Sequence, residues 1–203
     1  MMVVIETSYE SRHSQMDRRN VREEMIKGAI GLLAERGVQG TSFAVVTEAT
    51  STPRGSIYHH FPGGKNELIE KAVDSIGTLV ATLIDAVNAA TPAEVVEVFF
   101  ESWRAALRAN NFDGNCAVAN TVIGAGDGDS LRVASQRVFK KWHSSLTSAF
   151  IRSGADTSAS SDYAALCIAA AEGALIIGRA SRDDSVFNAL LRQLKLLVSV
   201  SGR

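Results

Sequence analysis

Apolar residues recur along this chain at intervals of three and four, the spacing that places them on one face of an α-helix, and no stretch keeps the strict alternation of a half-buried strand. Residues 1–17 lack that periodicity and are expected to form a mobile arm. Beyond them, Ile26, Ala29, Ile30 and Leu33 mark the inner face of a first helix, which Gly37 stops. Thr41 or Ser42 can cap a short second helix with Phe43, Val46 and Ala49 inward. Thr52 and Pro53 read as the cap and first residue of a third, because proline lacks an amide that the first turn leaves unpaired. That helix runs to about His60 and ends at "FPGG". A long fourth helix starts near Lys65, with Leu68, Ala72, Ile76, Leu79, Leu83 and Val87 on one stripe.

Further on, Thr91 as cap, Pro92 at the first helical position and Glu94 in capping-box register open a fifth helix that carries Phe99, Phe100 and Trp103. A short apolar piece, Cys116 to Ile123, lies between the turn-rich stretches "NNFDGN" and "GAGDGD". Leu131, Val138, Trp142, Leu146 and Phe150 define another helix up to Gly154, and two more run from about Ser160 to Arg179 and from about Asp184 to Val200. The pattern predicts an all-α fold of about nine helices. A front unit over residues 18–66 and a larger back unit over 67–203 are joined through the fourth helix, with no flexible linker.

Composition narrows the class. The 203 residues are 46% hydrophobic and 21% charged, a globular balance, and three prolines leave room for long helices. Cys116 and Cys167 stand far apart in apolar surroundings, which fits small core residues and a reducing compartment rather than a disulfide framework or a paired-cysteine metal motif. The start, "MMVVIETSYE", has no basic region before its short apolar run and does not read as a secretory signal. The apolar run from Ala164 to Ile177 is interrupted by Glu172 and too short to span a bilayer, so a soluble cytoplasmic protein with no membrane partner is expected. The net charge of −1 hides an uneven distribution. Between Glu10 and Lys65 lie eight basic residues, six acidic ones and three of the four histidines.

The third helix concentrates that chemistry. With Ile57 inward, a turn of 100° per residue brings Pro53, His60 and Phe61 near it and sends Gly55 and His59 directly away. Ser56 and Tyr58 flank the outward face and Arg54 lies at its edge. Such a face suits the major groove: glycine admits close approach of the backbone, arginine, serine and histidine reach base edges, and tyrosine and serine bond to phosphates. Lys65, at a helix N-terminus, adds charge to a dipole that attracts phosphate. His60 is expected to pack rather than to bind, and adjacent histidines lack the i, i+4 spacing of a helical metal pair, so no metal site is expected. "GAGDGD" has the composition of a phosphate loop without its lysine or preceding strand. Arg18, Arg19 and Arg22 read equally as groove contacts or as a solvated helix face.

"GTSFAVVTEATSTPRGSIYHHFPGGKNEL", Gly40 to Leu68, resembles the helix-turn-helix of the TetR family of transcriptional regulators, and "PRGSIYHHFPGGK" is similar to its LmrA/YxaF-like branch. "GNCAVANTVIGAG" and "EGALIIGRASRDD" carry a looser likeness through the back half. The resemblance implies that Thr41 or Ser42, Tyr58 and Lys65 hold phosphates, while Arg54, Ser56 and His59 face bases, with Thr52 as cap or phosphate ligand. One departure is Ser51, where the family usually has glycine in the turn. A left-handed serine there costs about 1–2 kcal/mol.

The expected function is a ligand-responsive regulator, in the first instance a repressor, that binds a pseudo-palindromic operator as a homodimer. An all-helical interaction module and a small hydrolase are the alternatives. The outward-facing residues of the third helix argue against the first, and the lack of an ordered nucleophile, base and orienting group against the second. No cofactor is expected. The aromatic surface of the fifth helix, the Cys116–Ile123 piece and the helix bearing Phe139 and Trp142 exceeds what one small core needs. A pocket for a hydrophobic or aromatic effector is therefore expected among Phe99, Trp103, Cys116, Val118, Phe139 and Trp142. By resemblance the last two helices form a four-helix interface across a two-fold axis, with Ala170, Gly173, Ala174, Ile177, Phe187, Leu191 and Leu194 at the seam.

Overall fold

A computed structural model describes the backbone of residues 3–125 and 129–200, and the side chains of 20–125 and 130–199. Among the described residues there are nine α-helices and no strand: α1 (Val3–Arg36), α2 (Phe43–Ala49), α3 (Ser56–His60), α4 (Lys65–Asp85), α5 (Pro92–Ala109), α6 (Ala117–Gly124), α7 (Asp129–Arg152), α8 (Thr157–Ser181) and α9 (Ser185–Val200).

Local chemistry sets most of the ends. Gly37, at φ +65, closes α1 in a conformation that glycine adopts without strain. Ser42 caps α2 by accepting the Val45 amide at 3.3 Å. Thr91 accepts the Glu94 amide ahead of α5, and the Glu94 carboxylate takes the Ala90 amide at 2.8 Å, a capping box shifted by one residue. Asp156 accepts the Ser158 hydroxyl and the amides of Ser158 and Ala159 at the head of α8, which holds its carboxyl below the usual range.

α1 begins at Val3, well before the start expected near Arg18, so the backbone of residues 3–17 is helical and continuous with the rest. Periodicity was the wrong guide there. No proline or glycine interrupts the chain from Val3 to Lys27, so nothing breaks the helix even where no apolar stripe marks it. The side chains of Arg18 and Arg19, and the central residues 126–128 of the "GAGDGD" turn, lie outside the described residues.

α1 packs on α2, α3 and α4, and α4 runs on into the back half against α7. The approach of α4 and α7 is set by Gly77: a Cβ there would lie 2.5 Å from a Val138 methyl carbon. The indole of Trp142 donates to the Gly77 carbonyl at 2.8 Å across that seam. Because α4 turns its small residues, Gly77 and Ala81, to α7, the stripe expected on it drifts. Leu68 and Ala72 are buried, but Leu79 and Leu83 are 55% and 59% exposed. One core runs from Met25, Leu33 and Phe61 through Leu68 to Phe100, Trp142, Phe150 and Phe187. Each such side chain contributes about 2–3 kcal/mol through burial. Cys116 and Cys167 are both free and buried in it.

α8 corrects another expectation. At 25 residues it is long and apolar enough to cross a membrane by length and composition. It packs instead on α5, α7 and α9, burying Tyr163, Ala164, Cys167, Ala171, Ala174 and Leu175.

Candidate functional site

The short α3 presents the outward face expected of it. Ile57 and Phe61 are buried beneath, while Arg54, Gly55, Tyr58 and His59 are exposed and Ser56 and His60 half-buried. Tyr58, 68% exposed, leans its ring edge-on against Phe43 of α2 at 5.2 Å, which fixes the phenol in place beside the face. Ser56 donates its hydroxyl to the Pro53 carbonyl at 2.7 Å and retains acceptor capacity.

The turn ahead of α3 departs from the sequence reading. α3 starts at Ser56, with Gly55 in the cap position and no side-chain cap bond, so Thr52 does not cap it and Pro53 is not its first residue. Pro53, placed near the inner face by periodicity, is exposed. The Thr52 amide donates to the Thr47 carbonyl at 3.0 Å, and its hydroxyl lies 2.8 Å from that of Thr50; both bonds hold the turn. Ser51 is left-handed at φ 53, the conformation for which glycine is the unstrained choice.

Other expected contacts sort by burial. Thr41 is fully buried and donates its hydroxyl to the Gly37 carbonyl at 2.8 Å, so it offers no surface to a phosphate; Ser42, half-buried, is the one of the pair that does. Ala49 is exposed and Thr47 takes the inner position on α2, its hydroxyl bonded at 3.0 Å to the Phe43 carbonyl. Lys65 opens α4 as expected. The Glu67 carboxylate, however, already accepts the Gly63 amide at 2.7 Å at that N-terminus. That carboxylate binds the loop ahead of the helix, while the cap residue Gly64 makes no side-chain cap bond, so an anion arriving there meets the lysine ammonium with the Glu67 carboxylate close by. Arg22 stacks over Phe61 at 5.2 Å, a packing role on the unit's own core.

The back half encloses a cavity of about 480 Å³ bounded by α1, α4, α5, α6, α7 and α8. Phe99, Trp103, Cys116, Val118 and Trp142 line it as expected. Phe139 does not: its ring packs edge-on against Trp142 at 5.4 Å, behind the wall. Sequence reasoning missed Ile30 and Ala34 of α1, the α4 residues Ile76, Leu79, Val80, Leu83 and Ile84, and Leu175 of α8. The exposed Leu79, Leu83 and Val98 form the cavity's lip, which explains why α4 leaves large apolar residues uncovered. No lining residue is charged; the polar ones are Ser102, Asn110, Asn115 and Cys116. Burial pushes the Cys116 thiol well up, so it is a neutral cap at the head of α6 and not a nucleophile. Burial likewise lifts Glu172, beside Cys116, to about 7.

The expected seam residues divide. Ala174, Phe187 and Leu194 are buried within the protomer and face its own core. Ala170, Gly173 and Leu191 are half-buried and Ile177 is 53% exposed. Leu166, Ile176 and Leu197 extend the uncovered apolar surface of α8 and α9.

Residues 25–72 match the family described as bacterial regulatory proteins, tetR family, and residues 92–193 match the C-terminal domain of LmrA/YxaF-like transcriptional regulators. An uncharacterized helix-turn-helix-type transcriptional regulator of Mycobacterium tuberculosis is 32% identical over 183 residues, 87% of this chain and 93% of its own. YxaF of Bacillus subtilis, an uncharacterized regulator of the same type, is 24% identical over 193 residues, 91% of this chain and 98% of its own. The crystal structure of a TetR-family transcriptional regulator from Agrobacterium tumefaciens superposes with a TM-score of 0.78 at 20% identity, over 89% of this chain and 98% of that one. Matched through its helix-turn-helix and its back half alike, the chain belongs to the TetR family of transcriptional regulators, in the LmrA/YxaF-like branch, and is not an enzyme.

Proposed function

We propose that this regulator is a repressor that binds a pseudo-palindromic operator as a homodimer and releases it when a small hydrophobic or aromatic molecule enters the cavity. The observation that carries the reading is the uncovered face of α3. Arg54, Gly55, Tyr58 and His59 stand exposed over the buried Ile57 and Phe61, an arrangement that internal packing does not require. In this reading Arg54, Ser56 and His59 meet base edges, and Ser42, Tyr58 and Lys65 hold phosphates. The front unit over residues 18–66 reads DNA, and 67–203 bind the effector and dimerise. Its work on DNA assigns the protein to the cytoplasm.

Dimerisation is supported by the uncovered side of α8, where Leu166, Ala170, Gly173 and Ile177 recur at helical spacing, with Leu197 on α9. A two-fold dimer gives one operator two short reading helices. The effector reading is supported by an uncharged cavity of about 480 Å³ with an aromatic wall, a size and character suited to small apolar ligands. Through α4, whose first residue is Lys65 and whose later turns line the cavity, occupancy reaches the DNA-reading unit.

The test starts with sequencing the fragments of its own genome that the purified protein retains. Arg54→Ala and His59→Ala should then lose about 1–3 kcal/mol on the selected duplex and relax base preference. Lys65→Ala should weaken all duplexes alike and lower the salt slope by about one. Equal losses on selected and scrambled duplexes for every variant would contradict these roles.

A further inference from the structure

α1 forms a wall of the cavity through Ile30 and Ala34. At its C-terminal end, where a helix runs out of intrahelical partners, the carbonyls are held from the back half, that of Leu33 in addition to the Gly37 amide it accepts at 3.1 Å. The Asn120 side-chain amide donates to the carbonyls of Leu33 at 2.9 Å and Ala34 at 3.0 Å. The Asn115 backbone amide donates to Ala34 at 2.9 Å, and the Arg179 guanidinium to the Glu35 carbonyl at 3.1 Å.

Asn120 sits on α6, whose head also faces the cavity through Cys116, Ala117 and Val118. At the tail of α6, Gly124 lies so close to Val38 that a Cβ would come within 2.9 Å of it. One short helix is thus both cavity wall and clamp on α1. Six residues back along α1 from Ala34, Gly28 meets the turn of the reading unit. A Cβ on Gly28 would stand 2.3 Å from the Thr50 methyl carbon, next to the left-handed Ser51.

We propose that Asn120 is a positioning residue that transmits cavity occupancy to the reading helix through α1, a second route beside α4. The proposal rests on the effector reading of the cavity. A molecule pressed against Val118, Ile30 and Ala34 displaces α6 and α1. The two bonds from Asn120 make those helices move as one body, and close packing at Gly28 leaves no slack before Thr50. A ligand acts only through its different affinity for the two arrangements, so loosening the clamp lets the cavity fill without moving the turn.

The test uses Asn120→Leu, which removes both donors at similar volume, and N-phenyl-1-naphthylamine, an uncharged aromatic probe that brightens in apolar surroundings. Probe binding is read by fluorescence and operator binding by anisotropy, each with and without the other partner. In the wild type, saturating probe should weaken operator binding by about 5–150-fold. In Asn120→Leu each partner alone should bind close to normally, while the mutual weakening falls below about 3-fold in both directions. Undiminished coupling in a variant of lower Tm would overturn the proposal and leave Asn120 a structural cap. Should the variant fail to fold, hydrogen exchange of the wild type decides: bound probe should change protection from Gly37 to Val46, and unchanged exchange there overturns the proposal. A probe that does not bind the wild type, or binds without affecting the operator, would sink the effector reading and this inference with it.

Discussion

Replacing Gly55 by alanine separates stability from DNA binding at a single atom. Gly55 sits at φ −71 and ψ −29, in the right-handed region open to any residue, and a Cβ built on it meets nothing within 4 Å. In the free protein the substitution removes conformational freedom from the unfolded chain alone and should stabilise by about 0.4–1 kcal/mol. In the proposed reading, the same methyl group would sit on the operator at the centre of the face turned to the duplex. Crowding it into a packed contact costs about 1–3 kcal/mol, a loss of about 5- to 150-fold in affinity. Urea unfolding and duplex anisotropy on the same preparation measure both. A Gly55→Ala protein that gains stability and binds operator as tightly as the wild type would refute the close approach of this backbone to DNA.

Glu172→Gln should remove a pH dependence of stability. Between the ordinary value of 4.5 and the buried value of about 7, the unfolded carboxyl ionises while the folded one stays protonated, so stability falls by about 3 kcal/mol as pH rises through that window. Urea midpoints from pH 4 to 8 should flatten in the variant, and an unchanged slope would contradict the burial of this group. Ser51→Gly should relieve the left-handed strain of about 1–2 kcal/mol against a glycine entropy cost of about 0.5–1, for a net gain of about 0.5–1 kcal/mol in Tm or urea assays; a loss would contradict it. Ile177→Glu, at a half-exposed apolar position of α8, should yield monomers that no longer retain operator, and a dimer by light scattering would remove α8 from the interface.

Helix count and most helix ends were legible because glycine stops, Ser42, Thr91 and Pro92 act locally. The start of α1 was not, since a helix without a breaker needs no stripe to persist. The turn before α3 eluded reading for a different reason: Thr52 and Pro53 have the right chemistry for a cap, but Thr52 is bonded back to Thr47 and Thr50 in the turn, and the helix starts at Ser56. Burial was legible on α5, where one face is apolar, and illegible on α8, where apolar residues surround much of the helix. There the period cannot tell Ala174, inside the protomer, from Ile177 outside it. The cavity residues from α1 and α4 escaped because a wall is assembled from distant segments. Leu79 and Leu83 read as core when they form its lip.

In the proposed function, the exposed face of α3 reads a specific DNA sequence as part of a dimer. The most direct measurement is anisotropy of a labelled duplex, taken from the genomic fragments that the protein retains, titrated with wild-type protein beside a scrambled duplex at several salt concentrations. The selected duplex should bind at two protomers per site and keep a large preference as salt rises, because base contacts survive where phosphate contacts weaken. Equal affinity for both duplexes, falling together as salt increases, would contradict the account.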